Sequence, residues 1–308
     1  MSTIAPATIK HLLVPLDGSR LAEAALPAAT MLAERLGARV TLLHVMERHA
    51  PATVHGERHL TRAGEAEAYL NGVASRFADA GVPVEGHVHP NEEGDVAASV
   101  AEHAAELGAD LVVLCTHGRG GPREWLFGSL AQQVVRRAIA PVLLVRPGPD
   151  GNAPRFAPRA VFVALDGTAE GELALSAALA LACALGAMVR LVVVVATLAT
   201  VAGDRAATAR LSPAATTAAL DLEQEAAQGY LERLRTRLQA AGTPVDVQVG
   251  RGDAVQVVTE LATRAAGDLL AVATHGHAGF DALWSGSVGS KVVARFAGPL
   301  LLVPARRK

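Results

Sequence analysis

The chain is poor in aromatic residues, in cysteine and in net charge, and each shortage limits what it can be. Aromatic residues are 3% of the sequence, so the core must be built from Ala, Leu and Val. The two cysteines, Cys115 and Cys183, fall at non-equivalent places in a repeat described below, so a repeated structural disulfide is not indicated and a reducing cytosol fits. A formal net charge of −2 argues against a nucleic-acid surface and a polybasic membrane anchor. We expect a cytoplasmic protein that binds neither nucleic acid nor membrane.

A membrane span is also not expected, although one segment comes close. Residues 173–189 are apolar apart from Ser176, but this stretch of 17 residues is shorter than the roughly 20 that cross a bilayer. Gly186 interrupts it, which favours an Ala/Leu helix ended by this glycine and a strand that begins near Val189. With 51% hydrophobic and 19% charged residues among 308, the chain can bury a core in each of two domains.

The most informative feature that is present is a motif that occurs twice. The first copy is Thr116-His117-Gly118, nine further residues and Gly128-Ser129, and the second is Thr274-His275-Gly276, nine further residues and Gly286-Ser287. The shift is constant, since 276 − 118 = 158 and 286 − 128 = 158. An internal repeat of this size indicates two similar domains.

Each half also opens on an apolar run that ends in an acidic turn. Residues 12–16 lead into Asp17-Gly18-Ser19, and residues 161–165 lead into Asp166-Gly167-Thr168, 149 positions later. A continuous apolar run predicts a strand buried on both faces, and the turn residues predict the start of a helix. The shift grows from 149 to 158, so the second half carries a net nine extra residues, which we place in the long connection after its second strand.

Strands alternate with helices in both halves, which predicts an α/β protein with parallel sheets and right-handed crossovers. We expect two tandem doubly wound domains, each a five-stranded parallel sheet flanked by helices. The first covers residues 1–148 and the second 159–308, and a linker rich in Pro and Gly, 149–158, joins them. The apolar fifth strands, 141–145 and 299–303, need cover at a sheet edge, and we predict that they pair with one another and make the chain a pseudo-dimer.

The predicted helices come in matching pairs. Ala/Leu helices over 22–36 and 172–185 end at Gly37 and Gly186, glycines placed as left-handed caps. Longer helices, over about 57–80 and about 214–240, follow the second strand of each half.

The repeated turn and loop residues should meet at one edge of each sheet. In a parallel sheet ligands bind beyond the carboxyl ends of the strands, where the strand order reverses. Asp17 and Asp166 follow the first strands, whereas Gly118 and Gly276 follow the fourth. The later Gly-Ser opens a helix, whose electropositive N-terminus favours phosphate. A carboxylate suited to ribose hydroxyls and a glycine loop suited to phosphate together predict a nucleotide site.

These motifs resemble those of the universal stress protein family in its tandem two-domain form. The resemblance rests on Val-Pro-Leu-Asp-Gly-Ser (14–19), Leu-Leu-His-Val (42–45), the spaced Thr-His-Gly and Gly-Ser, and Pro-Val-Leu-Leu-Val (141–145), and it covers essentially the whole chain. It implies a stress-response protein with an adenine-nucleotide-binding fold, usually dimeric through the fifth strand, that binds ATP, with or without Mg²⁺, in one branch of the family. By position, the implied binding residues are Pro15, Asp17, Val45, Cys115, Gly118, Arg119, Gly128, Ser129 and Leu130 in the first half and Asp166, Val194, Ala273, Gly276, Gly286, Ser287 and Val288 in the second.

Two features depart from the family's ATP-binding pattern. Where that pattern has a further glycine, three residues before the glycine of Thr-His-Gly, this chain has Cys115 and Ala273, which are small and narrow the pocket. In the second half Ala164 replaces Pro15. Both departures weaken the expectation of binding, slightly more so in the second half.

The charges of the two glycine loops also differ. Arg119 and Arg123 in the first loop could reach a phosphate tail, whereas His277 and Asp281 stand at the matching places of the second. The hypothesis that follows is tighter ATP binding in the first half.

Simpler interpretations stay open for several of these residues. Ser129 could be only a helix cap, and Asp17 and Asp166 could be only turn formers. Cys115 could be a reactive thiol beside the pocket, although a small buried side chain is the favoured hypothesis.

The histidines suggest a metal or a base. His55 and His59 have helical i, i+4 spacing and with His87 and His89 could recruit a metal, but no such set recurs in the second half, so we predict no metal site. His117 and His275 do recur, but no nucleophile is paired with them in the sequence, and we interpret them as loop-shaping residues. No catalytic residue is predicted, and at most slow ATP hydrolysis is expected.

The leading hypothesis is a regulatory ATP-binding protein whose loaded state changes a partner surface. One alternative is a scaffold that binds no nucleotide and acts through dimerisation. Another is an enzyme that activates a substrate as an adenylate, which would need a glycine-rich serine loop directly after the first strand. The chain has Asp17-Gly18-Ser19-Arg20 there, so this alternative ranks low.

Overall fold

A computed structural model describes residues 4–48, 50–116, 129–148, 151–240, 242–264, 268–274 and 288–305 of the chain. The chain divides into two compact units. The N-terminal unit comprises Thr8–Ala157 and also takes Pro299–Arg306 from the end of the sequence. The C-terminal unit is built mainly from Pro158–Gly298.

The strands follow the predicted alternation. In chain order they are β1 (His11–Pro15), β2 (Arg39–Glu47), β3 (Thr53–Val54), β4 (Glu57–Arg58), β5 (Val84–Glu93), β6 (Leu111–Cys115), β7 (Val142–Val145), β8 (Ala160–Leu165), β9 (Met188–Val195), β10 (Val245–Arg251), β11 (Leu269–Thr274) and β12 (Leu300–Pro304).

The helices lie between these strands. They are α1 (Leu26–Leu36), α2 (Ala63–Ala74), α3 (Val96–Glu106), α4 (Ser129–Arg137), α5 (Ala169–Leu185), α6 (Asp204–Leu211), α7 (Pro213–Gln239), α8 (Ala254–Thr263) and α9 (Val288–Arg295). Two 3₁₀ segments, Ala22–Ala25 and Ser75–Ala80, precede α1 and follow α2.

The sheet of the N-terminal unit has the order β12-β7-β6-β1-β2-β5. Five of its strands run parallel to one another, in the order β7, β6, β1, β2 and β5. The strand order reverses between β1 and β6, as in doubly wound folds. The last strand, β12, joins the other edge antiparallel to β7, with Leu301 opposite Leu143. The predicted pairing of the two fifth strands is therefore confirmed.

The sheet of the C-terminal unit repeats the same order as β10-β9-β8-β11. All of these strands are parallel to their neighbours, and β8 lies between β9 and β11 as β1 lies between β2 and β6. The predicted α/β fold, with doubly wound, mostly parallel sheets flanked by helices, is confirmed.

The core is aliphatic, as the scarcity of aromatic residues predicts. The central strands are buried along almost their whole length because helices cover both faces of a doubly wound sheet. Phe77, Phe162 and Phe296 are the large aromatic side chains among the most deeply buried residues.

The nearly all-apolar segment is a helix followed by a strand. Helix α5 ends at Gly186, whose φ of 62° is left-handed, and its amide donates to the carbonyl of Cys183. No helix in the described part of the chain is both long and apolar enough to cross a bilayer.

One predicted helix boundary was wrong, and one predicted helix differs in its first turn. The helix expected over 57–80 begins only at Ala63, because a short antiparallel hairpin of β3 and β4 precedes it. The helix expected over 22–36 begins with a 3₁₀ turn. A further helix, α6, was not predicted.

The extra residues of the second half lie where they were expected. The shift is 149 at the second strands (188 − 39), 161 at the third (245 − 84) and 158 at the fourth (269 − 111). The second connection thus gains 12 residues, which accommodate α6, and the second half has three fewer residues between its third and fourth strands.

Candidate functional site

In each unit, the ends of two adjacent central strands bring an acidic turn and a small residue together. Strand β1 pairs with β6, so Asp17 and Cys115 lie at the same carboxyl edge. Strand β8 pairs with β11 in the same way, which puts Asp166 and Ala273 at the equivalent edge of the other unit. These edges are the points where the strand order reverses, the position at which open α/β sheets bind ligands.

Asp17 is held by the turn that it forms. Its Oδ1 accepts hydrogen bonds from the Ser19 amide (2.9 Å) and from Ser19 Oγ (2.7 Å). Ser19 Oγ in turn accepts from the amide of Ala22 (3.2 Å), at the start of the helical segment. Gly18, with a φ of 88°, supplies the left-handed residue that the turn needs.

Asp166 repeats this arrangement. Its Oδ1 accepts from the Thr168 amide (3.0 Å) and Thr168 Oγ1 (2.6 Å), and Thr168 Oγ1 accepts from the amide of Gly171 (3.0 Å) as the N-cap of α5. A Cβ at Gly171 would lie 2.4 Å from Asp166 Oδ1, so the glycine makes room for the carboxylate. Both turns therefore hold one carboxylate oxygen in place, which restricts the orientation of the aspartate side chain.

Apolar side chains border the first turn. Val45 is buried and Pro15 is half-buried, and both could line a site for a flat, apolar base. Beneath the turn, Nδ1 of the buried His44 donates to the carbonyl of Leu16 (2.8 Å). Burial lowers the pKa of His44, against the opposing effect of that hydrogen bond, and keeps the imidazole neutral. In the other unit Ala164 and Val194 are half-buried.

The small residues at the ends of the fourth strands are buried. Cys115 is 3% exposed and Ala273 is 6% exposed. Burial, helped by the nearby charge of Asp17, raises the pKa of the Cys115 thiol to about 12. The thiol therefore stays protonated at neutral pH, which supports the buried-filler hypothesis over the reactive thiol.

The glycine loops fall in parts of the chain that the structure does not describe. The predicted binding residues that lie outside the described ranges are Gly118, Arg119, Gly128, Gly276, Gly286 and Ser287. The other loop residues named above also lie outside them: His117, Arg123, His275, His277 and Asp281. The helices that follow these loops begin at Ser129 and Val288, close to the predicted positions, and Leu130 is 37% exposed.

His55 is a neighbour of Asp17 that the sequence did not predict. It lies at the tip of the β3–β4 hairpin, with its Nε2 3.7 Å from Asp17 Oδ2. His55 and His59 do not share a helix face, because residues 53–58 form a hairpin. Among the residues described, no group of three or more His, Cys, Asp or Glu side chains is arranged to hold a metal ion.

A second repeated acidic pair was missed and lies at the opposite edge of the sheets. Asp110 and Asp268 immediately precede the fourth strands, at a shift of 158 (268 − 110). Their carboxylates accept backbone amides at the start of the first strands: those of Lys10 (2.8 Å) and His11 (3.0 Å), and those of Arg159 (3.0 Å) and Ala160 (2.9 Å). They tie neighbouring strands together, and the constant shift was the signal that could have revealed them.

Sequence comparison finds relatives that match one half of the chain at a time. The universal stress protein YxiE of Bacillus subtilis is 30% identical over 147 residues, which are 44% of this chain and 97% of that protein. A universal stress protein of Staphylococcus aureus USA300 is 29% identical over 143 residues, 45% of this chain and 85% of that protein.

Structure comparison finds similar folds over nearly the full length. The protein PA1789 of Pseudomonas aeruginosa PAO1 aligns with a TM-score of 0.67 and 16% identity, over 96% of this chain and 93% of that one. A universal stress protein of Archaeoglobus fulgidus aligns with a TM-score of 0.65 and 16% identity, over 96% of each chain. At these identities the likeness concerns the fold alone.

The chain also matches the model of a protein family. The model of the universal stress protein family matches twice, at residues 8–146 and 158–304, so that its two copies account for most of the sequence. The chain is a tandem member of the universal stress protein family.

Proposed function

We propose that this protein is a cytoplasmic regulator that binds ATP in each of two domains, residues 1–148 and 159–308, without turning it over rapidly. The observation that carries the proposal is the repeated carboxylate turn. Asp17 and Asp166 stand at the switch points of two sheets, each fixed through Oδ1 by a hydroxyl that also begins a helix. The repeated aspartate is not needed to begin either helix, since a serine or threonine hydroxyl can cap a helix without it.

The donors and acceptors present fit a nucleotide. An acidic side chain at the end of the first strand can accept hydrogen bonds from ribose hydroxyls, and Pro15 and Val45 can wall the adenine. Gly118, Gly128 and the amides at the start of α4 would hold the phosphates, as would Gly276, Gly286, Ser287 and the start of α9 in the other half. When bound, ATP would supply negative charge, and Mg²⁺ would neutralise part of it.

Regulation would follow from a change in loop conformation rather than from a chemical reaction. Phosphates held between residues 118 and 128, or 276 and 286, would favour one loop conformation and so change the surface that a partner meets. Cys115 stays protonated beside the first pocket and is not expected to act as a nucleophile.

Calorimetric titration of Asp17→Asn and Asp166→Asn variants with ATP tests the proposal. Asparagine keeps an oxygen that can accept the two hydrogen bonds of the turn, while it removes the charge and one acceptor offered to the ligand. Each variant should keep one site unchanged and weaken the other about 10- to 100-fold, as expected for the loss of a charged hydrogen bond.

The same titration separates the alternative functions. A chain that binds no nucleotide in any form would support a dimerisation scaffold. Binding that is unchanged in both variants would mean that the turns serve only to begin helices. AMP covalently attached to a substrate would instead indicate an adenylating enzyme.

A further inference from the structure

The β3–β4 hairpin covers the turn that follows β1. Its two-residue strands, Thr53–Val54 and Glu57–Arg58, are antiparallel, and the amide of His59 donates to the carbonyl of Ala52 (3.1 Å) at its base. His55 and Gly56 form the tip with φ values of 51° and 85°. Two successive left-handed residues are typical of the tight turns that close two-residue hairpins.

Three contacts fasten this hairpin to the Asp17 turn. His55 Nε2 lies 3.7 Å from Asp17 Oδ2. The Glu57 carboxylate accepts the backbone amide of Arg20 (2.6 Å). A Cβ at Gly18 would lie 2.8 Å from Cδ1 of Leu60, so the chain after the hairpin packs directly on this glycine.

A fourth contact ties the hairpin to the next helix. Arg58 forms an ion pair with Glu65 in the first turn of α2 (2.6 Å). The hairpin is thus held from both sides, and its position over Asp17 does not depend on His55 alone.

The contact with His55 involves the carboxylate oxygen that a ligand needs. Oδ1 of Asp17 already accepts two hydrogen bonds from Ser19, which use both of its lone pairs. Ribose hydroxyls can therefore bond only to Oδ2, the oxygen that faces His55. The side chains of His55 and Asp17 are 26% and 24% exposed, so they are partly shielded from water where they meet.

We propose that the β3–β4 hairpin is an autoinhibitory cover of the first nucleotide site, in which His55 occupies the Asp17 oxygen that ribose hydroxyls require. This inference rests on the proposed function of that site. Nucleotide and hairpin compete for Oδ2, so that binding displaces the His55 contact and a loaded first site carries a displaced hairpin tip. The hairpin would then be the surface by which a partner distinguishes the loaded from the empty first half.

The second half has a different structure at the equivalent connection. The chain after β9 forms helix α6, and within the described part of this connection no hairpin corresponds to β3 and β4. Asp166 is exposed, whereas Asp17 is only partly so. The second site thus serves as an internal control, because no counterpart of the β3–β4 hairpin lies in the described part of its connection.

His55→Asn is the decisive variant. Asparagine adopts left-handed conformations readily, and Asn-Gly is a favoured pair in two-residue hairpin turns, so the hairpin should persist without the imidazole. The first site is measured in a chain that also carries Asp166→Asn. There, His55→Asn should lower the Kd for ATP about two- to fivefold, the size of one weak, partly exposed polar contact.

The matched control puts the same change in an Asp17→Asn chain, where His55→Asn should leave the Kd of the second site unchanged. An unchanged or raised Kd at the first site would overturn the autoinhibitory cover while leaving nucleotide binding intact. A chain that binds no ATP in any of these forms would refute the proposed function and with it the competition.

The hairpin contact can also be measured without nucleotide. Hydrogen exchange at the His59 amide reports the closed hairpin, because this amide closes its base. Asp17→Asn should speed that exchange modestly in the absence of ATP, since one contact of the hairpin is lost while the others remain. Adding ATP to the Asp166→Asn chain should also speed it. Exchange that responds to neither change would contradict the proposal.

Discussion

At the residue scale, the candidate sites depend on what each of the two carboxylate oxygens of the aspartate contacts. Asp17 and Asp166 use Oδ1 to hold a turn, through Ser19 in one unit and Thr168 in the other. The residue types of both turns could be predicted from the sequence because Asp-Gly-Ser and Asp-Gly-Thr are local signals. The contact of Asp17 with His55 could not, because it joins residues 38 positions apart (55 − 17) through a hairpin too short to leave a pattern.

Cysteine reactivity tests the electrostatics of the first site. With a pKa of about 12, only about one Cys115 thiol in 10⁴ is ionised at pH 8. Iodoacetamide should therefore modify the exposed Cys183 in the folded protein and modify Cys115 only after unfolding. Peptide mass spectrometry measures both, and equal labelling of the two thiols would show that the pocket is open at Cys115.

At the element scale, the sequence predicted regular segments better than short ones. Helix α5 and its cap at Gly186 were predicted because the apolar run and the glycine are both local signals. Helix α6 and the β3–β4 hairpin were missed, since eight and two residues carry too few periodic positions. The missed elements all lie in the second connection of each half, which is where the two candidate sites differ.

The cap of α5 links helix stability to the orientation of Asp166. Thr168→Ala removes the hydroxyl that caps the helix at Gly171 and donates to Asp166, and it should lower the free energy of unfolding by about 1 kcal/mol. Thr168→Ser, the matched control, keeps the hydroxyl and should stay close to the original chain. Urea denaturation measures both, and equal midpoints for the alanine and serine variants would contradict the assigned cap.

At the scale of the whole molecule, the last strand completes the sheet that contains the first. Strand β12 covers the β7 edge, and both Leu301 and Leu143, which face one another, are fully buried. The sequence predicted this pairing because an apolar edge strand needs a partner.

Removal of residues 299–308 tests that pairing. Without β12, the β7 edge presents unpaired backbone groups and apolar side chains, so the shortened chain should melt at a lower temperature and self-associate. Light scattering after size-exclusion chromatography compares its mass with that of the full chain, and removal of residues 306–308 alone is the control. A shortened chain that has the same oligomeric state and melting temperature as the control would contradict the role of β12.

The claim that most needs testing is that the repeated turns mark two nucleotide sites. The most direct measurement is the number of ATP molecules bound per chain, by calorimetric titration of the full-length protein, the single variants Asp17→Asn and Asp166→Asn, and the double variant. We expect two high-affinity sites in the unaltered chain, one in each single variant and none in the double variant, whose two sites should bind about 10- to 100-fold less tightly. Binding that persists in the double variant with unaltered number and affinity would contradict it.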